Sequence, residues 1–204
     1  MSSAQSLIRQ LRKDYLRHEG KLQNPAFWAV AVHRFGAWSS ALERGPLRTL
    51  TSKAYGALFY GVELATGIAL NREARLGDGF HLIHAGNTKI HPGVVMGERC
   101  GVMHDVTIGT NMERQGVPQI GNDVFIGCGA KILGPITVGD GACIAANSLV
   151  ISDVPAGATA VGVPARMMLY NGRLAKVAMA PVAKVDEPPK PSNGTAPATS
   201  KVVT

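Results

Sequence analysis

The residues of this chain best suited to chemistry are its six histidines, His18, His33, His81, His84, His91 and His104. An imidazole with an ordinary pKa of about 6.5 can take a proton from a hydroxyl near neutral pH. Unprotonated, it is also a good zinc ligand, and His81, His84 and His104 could be gathered into a zinc site. His84 lies in the stretch His84-Ala85-Gly86-Asn87, and His104 directly precedes Asp105. His81 and His91 read as exposed strand or corner residues, and His18 and His33 as structural histidines with satisfied rings. The three cysteines, Cys100, Cys128 and Cys143, form no C-x-x-C pair, and the N-terminus carries no signal-peptide pattern. Both features point to reduced thiols and a cytoplasmic protein.

A period of six, beginning near residue 68, supplies the elements that must position these groups. Aliphatic residues lead the repeats at Leu70, Leu76 and Leu82, then in a new frame at Ile90, Met96, Val102 and Ile108. A third run holds Ile120, Ile126, Ile132, Val138, Ile144 and Val150. Four residues after most of these comes a second small or aliphatic residue, as at Val94, Cys100, Val106, Val124, Ala130 and Ser148. This layout is a hexapeptide β-helix repeat, in which each unit gives one short strand and one corner and must stack to bury its apolar face.

Two irregularities interrupt the repeat. Leu82 and Ile90 stand eight residues apart, so His84 to Asn87 must bulge. Between Ile108 and Ile120 the inward position would fall on Arg114, which predicts a loop leaving the coil, because an unpaired arginine is costly inside it. Irregular segments on a rigid scaffold are where function is usually built. Asp153-Val154-Pro155 closes the solenoid, and Gly162-Val163-Pro164-Ala165-Arg166 leads out of it.

Residues 5–65 show helical spacing, with Asn24-Pro25 as a start signal and Gly45-Pro46 as a break, which predicts three short helices. The expected organisation is a helical cap over 1–65, a β-helix over 66–170, and a tail over 171–204. A short helix is expected from about Met167 to Lys176, and a disordered Pro-rich end after residue 180. Apolar residues at 46% provide for a core, while 5% aromatics and 24 glycines argue against a helical bundle or an aromatic nucleic-acid platform. The stretch Ala54 to Leu70 is too short and too polar, with Glu63, for a membrane span. Residues 1–60 carry nine Lys/Arg against three acids, so the cap could face a phosphate-rich ligand or a membrane surface.

His84 in its bulge, Asp105-Val106-Thr107-Ile108-Gly109, Gly129-Ala130-Lys131-Ile132 and Gly162 to Arg166 together resemble the hexapeptide acyltransferases. Within them the chain looks most like the serine acetyltransferase group and its shorter relatives from polysaccharide gene clusters. The cap segment Asn24 to Trp38 resembles that of the shorter relatives. The resemblance implies a mainly β fold, a left-handed parallel β-helix with a short N-terminal α-helical cap. It also implies a homotrimer with sites between subunits, acetyl-CoA as donor and a hydroxyl as acceptor.

By the same resemblance His84 is the general base, with His104 and Asp105 as further catalytic candidates. Cys128, Ala146, Ile151, Ser152 and Arg166 fall at positions for CoA, and Arg166 and Lys131 are the cations able to meet its phosphates. Asn87 and Arg114 are the candidate acceptor contacts. The chain departs from the serine-specific pattern at three places. The aspartate that pairs with the histidine aligns with Ala69, a second acid with Ile83, and a loop histidine with Val117. His84 therefore needs another orienting group, for which Asp78, Asp105 or a backbone carbonyl are the candidates.

The expected function is acetyl-CoA-dependent O-acetyl transfer to L-serine or to a sugar hydroxyl of a surface polysaccharide precursor, with no metal. The rivals are a non-catalytic trimeric scaffold and a zinc-dependent, carbonic-anhydrase-like lyase, whose surrounding pattern is missing. No nucleic acid is expected as partner, whereas peripheral membrane contact through the basic cap is. The chain ends in Val202-Val203-Thr204 rather than isoleucine, which argues against the sulfhydrylase partner of serine acetyltransferases.

Overall fold

The computed structural model describes residues 3–168. Three helices come first, α1 (Ser3–Arg17), α2 (Pro25–Ala41) and α3 (Pro46–Thr66). Asn24 caps α2 by accepting a hydrogen bond from the Ala26 amide at 2.9 Å, and Pro25 occupies its first turn. Gly67, left-handed at φ 70°, ends α3, its amide donating to the Glu63 carbonyl at 2.8 Å.

Very short strands follow: β1 (Ala69–Leu70), β2 (Arg75–Leu76), β3 (His81–Leu82), β4 (Lys89–Ile90), β5 (Val95–Met96), β6 (Gly101–Val102), β7 (Thr107–Gly109) and β8 (Gln119–Ile120). The series continues with β9 (Phe125–Ile126), β10 (Lys131–Leu133), β11 (Thr137–Val138), β12 (Cys143–Ile144), β13 (Leu149–Val150), β14 (Thr159–Val161) and β15 (Arg166–Met168). They stack into three flat faces. The first is β1-β4-β7-β10-β13, the second β2-β5-β8-β11, and the third β3-β6-β9-β12-β14-β15. Pairing is parallel except for the closing β14–β15 hairpin.

The lead aliphatics all point inward and are buried, as is the second inward series from Val94 to Val154. Ala69, Lys89, Thr107, Lys131 and Leu149 stand in register along the first face, so the bulge and the loop are absorbed at corners without changing the phase. Among the inward positions Thr88 and Ser148 are polar and buried. The 110–116 segment leaves the coil, as Arg114 requires. The helix expected from Met167 is not seen at its start, because Met167 and Met168 belong to β15. There Met167 is buried and pairs with Ala160 of β14, a tertiary contact that overrides local helical preference. The rest of that helix and the Pro-rich tail lie outside the described residues.

Coils stack backbone on backbone at the corner from the second face to the third. A Cβ placed on Gly97 would sit 2.7 Å from the Gly121 carbonyl carbon and from the Asn122 amide nitrogen. These are main-chain atoms of the next coil and have no room to yield. Gly97→Ala is expected to cost about 1–3 kcal/mol, a fall of several degrees in thermal midpoint. An unchanged midpoint by calorimetry would contradict this stacking.

The cap is fastened to the solenoid by buried polar contacts. Arg34 of α2 donates from Nε to Asp14 of α1 at 2.8 Å, from Nη2 to the Gly77 carbonyl at 2.6 Å, and from Nη1 to the Leu76 carbonyl. His33 Nδ1 meets the Asn71 carbonyl at 3.0 Å and therefore carries a proton. His18 Nδ1 meets the Asp14 carbonyl at 2.6 Å, while its Nε2 accepts from the Leu82 amide at 3.3 Å. These partners confirm His18 and His33 as structural, satisfied histidines.

Candidate active site

His84 lies exposed in the bulge between β3 and β4, on the corner where the third face turns into the first. The bulge is held from within. The buried Thr88 hydroxyl faces the carbonyls of Gly86 at 3.0 Å and Met103 at 3.2 Å, and the Asp105 amide donates to Gly86 at 3.3 Å. Thr88 was missed by the sequence reading, although a polar residue two places before the lead Ile90 was its signal.

The His104 ring stands beside that of His84, with centroids 5.8 Å apart and planes inclined by 58°. Gly86 makes this possible, since a Cβ there would come within 3.3 Å of the His104 Cβ, and its φ of 142° suits glycine alone. Among the described residues His104 Nδ1 is buried without a hydrogen-bond partner, an orphan that in native structures calls for an explanation. Asp105 adopts a left-handed φ of 59°, and its carbonyl accepts from Lys131 Nζ at 2.5 Å. The same corner continues through Cys128 to Ala146. A Cβ on Gly127 would lie 2.6 Å from the Ala146 amide, so the corner is packed at main-chain distance.

The remaining candidates divide between places. Arg114 reaches the Ile151 carbonyl at 2.7 Å from Nη2, which puts it with Ile151 and Ser152 on the corner between the first and second faces. Arg166 is exposed at the start of β15. Asn87 lies near His84 in the chain, its side chain against Gly67 at the end of α3. One chain thus places His84, Asn87, His104, Asp105, Cys128, Lys131 and Ala146 at one edge of the first face. Arg114, Ile151 and Ser152 stand at the opposite edge.

Asp78 is excluded as the orienting group of His84. It lies on the corner between the second and third faces and is held by Lys13 at 2.7 Å and Gln10 at 3.1 Å. The Lys13 ammonium, with Gln10, holds its carboxyl below the usual range against partial burial. His81, expected to be exposed, is half-buried, its ring edge-on to His18 at 4.7 Å. His91 is exposed and accepts from the Gly93 amide at 3.0 Å. Among the described residues no three His, Cys, Asp or Glu side chains are grouped for a metal ion.

Burial, with His18 and Arg17 alongside, pushes His81 down to about 4, and burial beside Arg34 does the same to His33. A histidine lowered on folding adds stability above its unfolded pKa of about 6.5 and loses it as pH falls through the folded value. Unfolding free energy is therefore expected to decline between about pH 6.5 and 4, and less so in His81→Phe. A flat profile over that window in denaturant titrations would refute the buried neutral pair.

Where the first face meets α3, an open cleft of about 350 Å³ is lined by Phe59, Ala69, Lys89, His91, Thr107 and Leu133 among others. Ala69 and the half-buried Ile83 carry no carboxylate, and Glu63 of α3, beside the first face, is paired with Lys89 at 3.4 Å.

A three-sided parallel solenoid of six-residue repeats under an N-terminal helical cap is a hexapeptide β-helix. Residues 118–152 match the family described as bacterial transferase hexapeptide (six repeats). The serine acetyltransferase of Synechococcus elongatus is 33% identical over 150 residues, covering 72% of this chain and 59% of the relative. That of Bacillus subtilis is 40% identical over 116 residues, 53% of this chain and 51% of the relative. The Neisseria gonorrhoeae serine acetyltransferase in complex with serine superposes with a TM-score of 0.69 at 30% identity, covering 81% of this chain and 70% of that one. The Brucella abortus enzyme in complex with coenzyme A gives 0.67 at 29% identity, with 81% and 67% covered. The chain belongs to the hexapeptide-repeat, serine acetyltransferase-like family. It spans between 38% and 60% of the length of the curated serine acetyltransferases it matches.

Proposed function

We propose that the protein is an acetyl-CoA-dependent O-acetyltransferase whose acceptor is a sugar hydroxyl. The carrying observation is His84, exposed on its bulge with His104 beside it, at the head of the corner that also bears Cys128 and Ala146. Support comes from relatives that are serine acetyltransferases, one of which holds coenzyme A.

In this reading His84 takes the acceptor proton as the hydroxyl oxygen attacks the thioester carbonyl, giving a tetrahedral oxyanion. The intermediate collapses to the O-acetyl product, the carbon–sulfur bond breaks, and the departing CoA thiolate recovers the proton from the imidazolium. Lys131 and Arg166 meet the donor's phosphates. Lys131 gives up its bond to the Asp105 carbonyl to do so. Arg114, Ile151 and Ser152 complete the site from a neighbouring copy, because a single chain holds them across the first face from His84. The site therefore needs at least one further copy, which a homotrimer in the cytoplasm would supply.

The acceptor follows from what is missing. With Ala69 and Ile83 where serine-specific relatives carry acids, and Glu63 already paired with Lys89, an acceptor ammonium group has no free carboxylate at those two positions to bind it. Thiol release from acetyl-CoA is expected to be at least tenfold faster with a nucleotide sugar or oligosaccharide than with L-serine. Faster turnover of L-serine would overturn the sugar assignment. Failure to bind CoA by calorimetry would overturn acetyl transfer itself and favour a scaffold.

A further inference from the structure

Among the described residues the exposed large apolar side chains are concentrated in the cap. Ile8, Leu16, Leu22, Trp28, Leu47 and Leu50, with Leu58, Tyr60 and Leu64, outnumber the large exposed apolar residues of the solenoid. Helix α3 is the extreme case. Of its 21 residues only Tyr55 is buried, whereas Leu50 is 67%, Tyr60 74% and Leu64 85% exposed. At 100° per residue these side chains fall on one stripe with Ala57 and Lys53, opposite Tyr55. The stripe runs into an apolar groove between α2 and α3, of about 360 Å³, walled by Pro25 and Trp28 on one side and Ala57, Gly61 and Ala65 on the other. A continuous apolar face of this kind is uncommon on a soluble monomer and marks a contact surface.

Charge selects the occupant. Between Arg44 and Val62 the chain has Arg44, Arg48 and Lys53 and no acid. Glu63 is the one carboxylate on α3, and it is paired with Lys89 at 3.4 Å. A second copy docked on this stripe would bury Lys53 with no free acid on the facing helix to meet it, at a desolvation cost. An anionic lipid surface offers both an apolar layer for the leucines and phosphates for the cations. Trp28 and Tyr60 are the aromatic types that settle at such a boundary. No described helix is long and apolar enough to cross a membrane, so the face lies on the bilayer.

We propose that the exposed stripe of α3, with the groove beside Trp28, docks the protein on anionic lipid bilayers. This inference builds on the basic cap and is independent of the acyl-transfer reading, so vesicle binding tests it whether or not the protein turns over. The full chain should co-sediment with vesicles of 30% phosphatidylglycerol in phosphatidylcholine, and much less with pure phosphatidylcholine or at high salt. Leu50→Glu with Leu64→Glu should weaken partitioning at least about tenfold, and Lys53→Ala about fivefold, with thermal midpoints unchanged because all three side chains are exposed. Wild-type protein that ignores anionic vesicles would overturn the proposal. So would a double variant that binds like wild type, or one whose only effect is to lower the molar mass in light scattering, which would assign the stripe to another copy.

Discussion

Replacing His84 by alanine is expected to lower the rate of acetyl transfer by about 10²–10⁴-fold, the usual contribution of a positioned general base, with CoA affinity within a few-fold of wild type. The expectation rests on position. His84 is on an exposed bulge, where an acceptor can reach it, and its ring contact is His104. His104 is the less accessible of the two, with Nδ1 buried and unpaired, which suits a group that sets the orientation of its neighbour. His104→Gln should therefore lower kcat by about tenfold with little change in KM and should displace the acid limb of the pH–rate profile. A merely structural residue would leave that limb in place. Equal losses in both variants, with His84→Ala retaining its pH profile, would move the base to His104.

The largest stability change is expected at Arg34. Its guanidinium is 4% exposed and joins the fully buried Asp14 to the Leu76 and Gly77 carbonyls, tying α1, α2 and the second coil corner together. Desolvation outweighs the arginine at Asp14, whose carboxyl titrates above its ordinary value despite the ion pair. The sign of the linkage follows: Asp14 favours folding fully only below about pH 3.8 and progressively less as pH rises through its raised value. The pair is thus no large net stabiliser, yet breaking it is costly. Arg34→Met leaves a buried carboxylate and two carbonyls without donors and should cost about 3–5 kcal/mol at neutral pH. Asp14→Leu in the Arg34→Met background should recover part of the loss, because the stranded charge is gone. Urea titrations check both. A double variant no more stable than Arg34→Met would show that the carbonyl contacts, and not the ion pair, hold the cap.

Much of this molecule is readable from local sequence. The two inward series from Leu70 to Val154 name most of the buried residues of the solenoid, though not Ile68, Ala74, Phe80, Thr88 or Ala158. Asn24-Pro25 and Gly45-Pro46 place the starts of α2 and α3. The bulge at His84 and the loop at Arg114 also follow from spacing, since an inward position cannot be skipped or filled by an unpaired cation. The Asp14–Arg34 pair was not legible, because both residues look like ordinary polar positions of helices until a neighbour buries them. Nor was the bareness of α3, whose apolar stripe reads from sequence as a core face.

The amino-acid sequence by itself therefore determined a parallel hexapeptide β-helix under a helical cap, with irregularities at His84 and Arg114. Each of those features depends on residues within a few positions of one another. Tertiary structure decided that Asp78 belongs to the cap, that His104 faces His84, and that Arg114 closes on Ile151 across the first face. Those contacts join residues from different coils or different corners. Which residues meet there depends on where each corner directs its side chains and on what the helices cover, so the answer exists only once the coils have stacked.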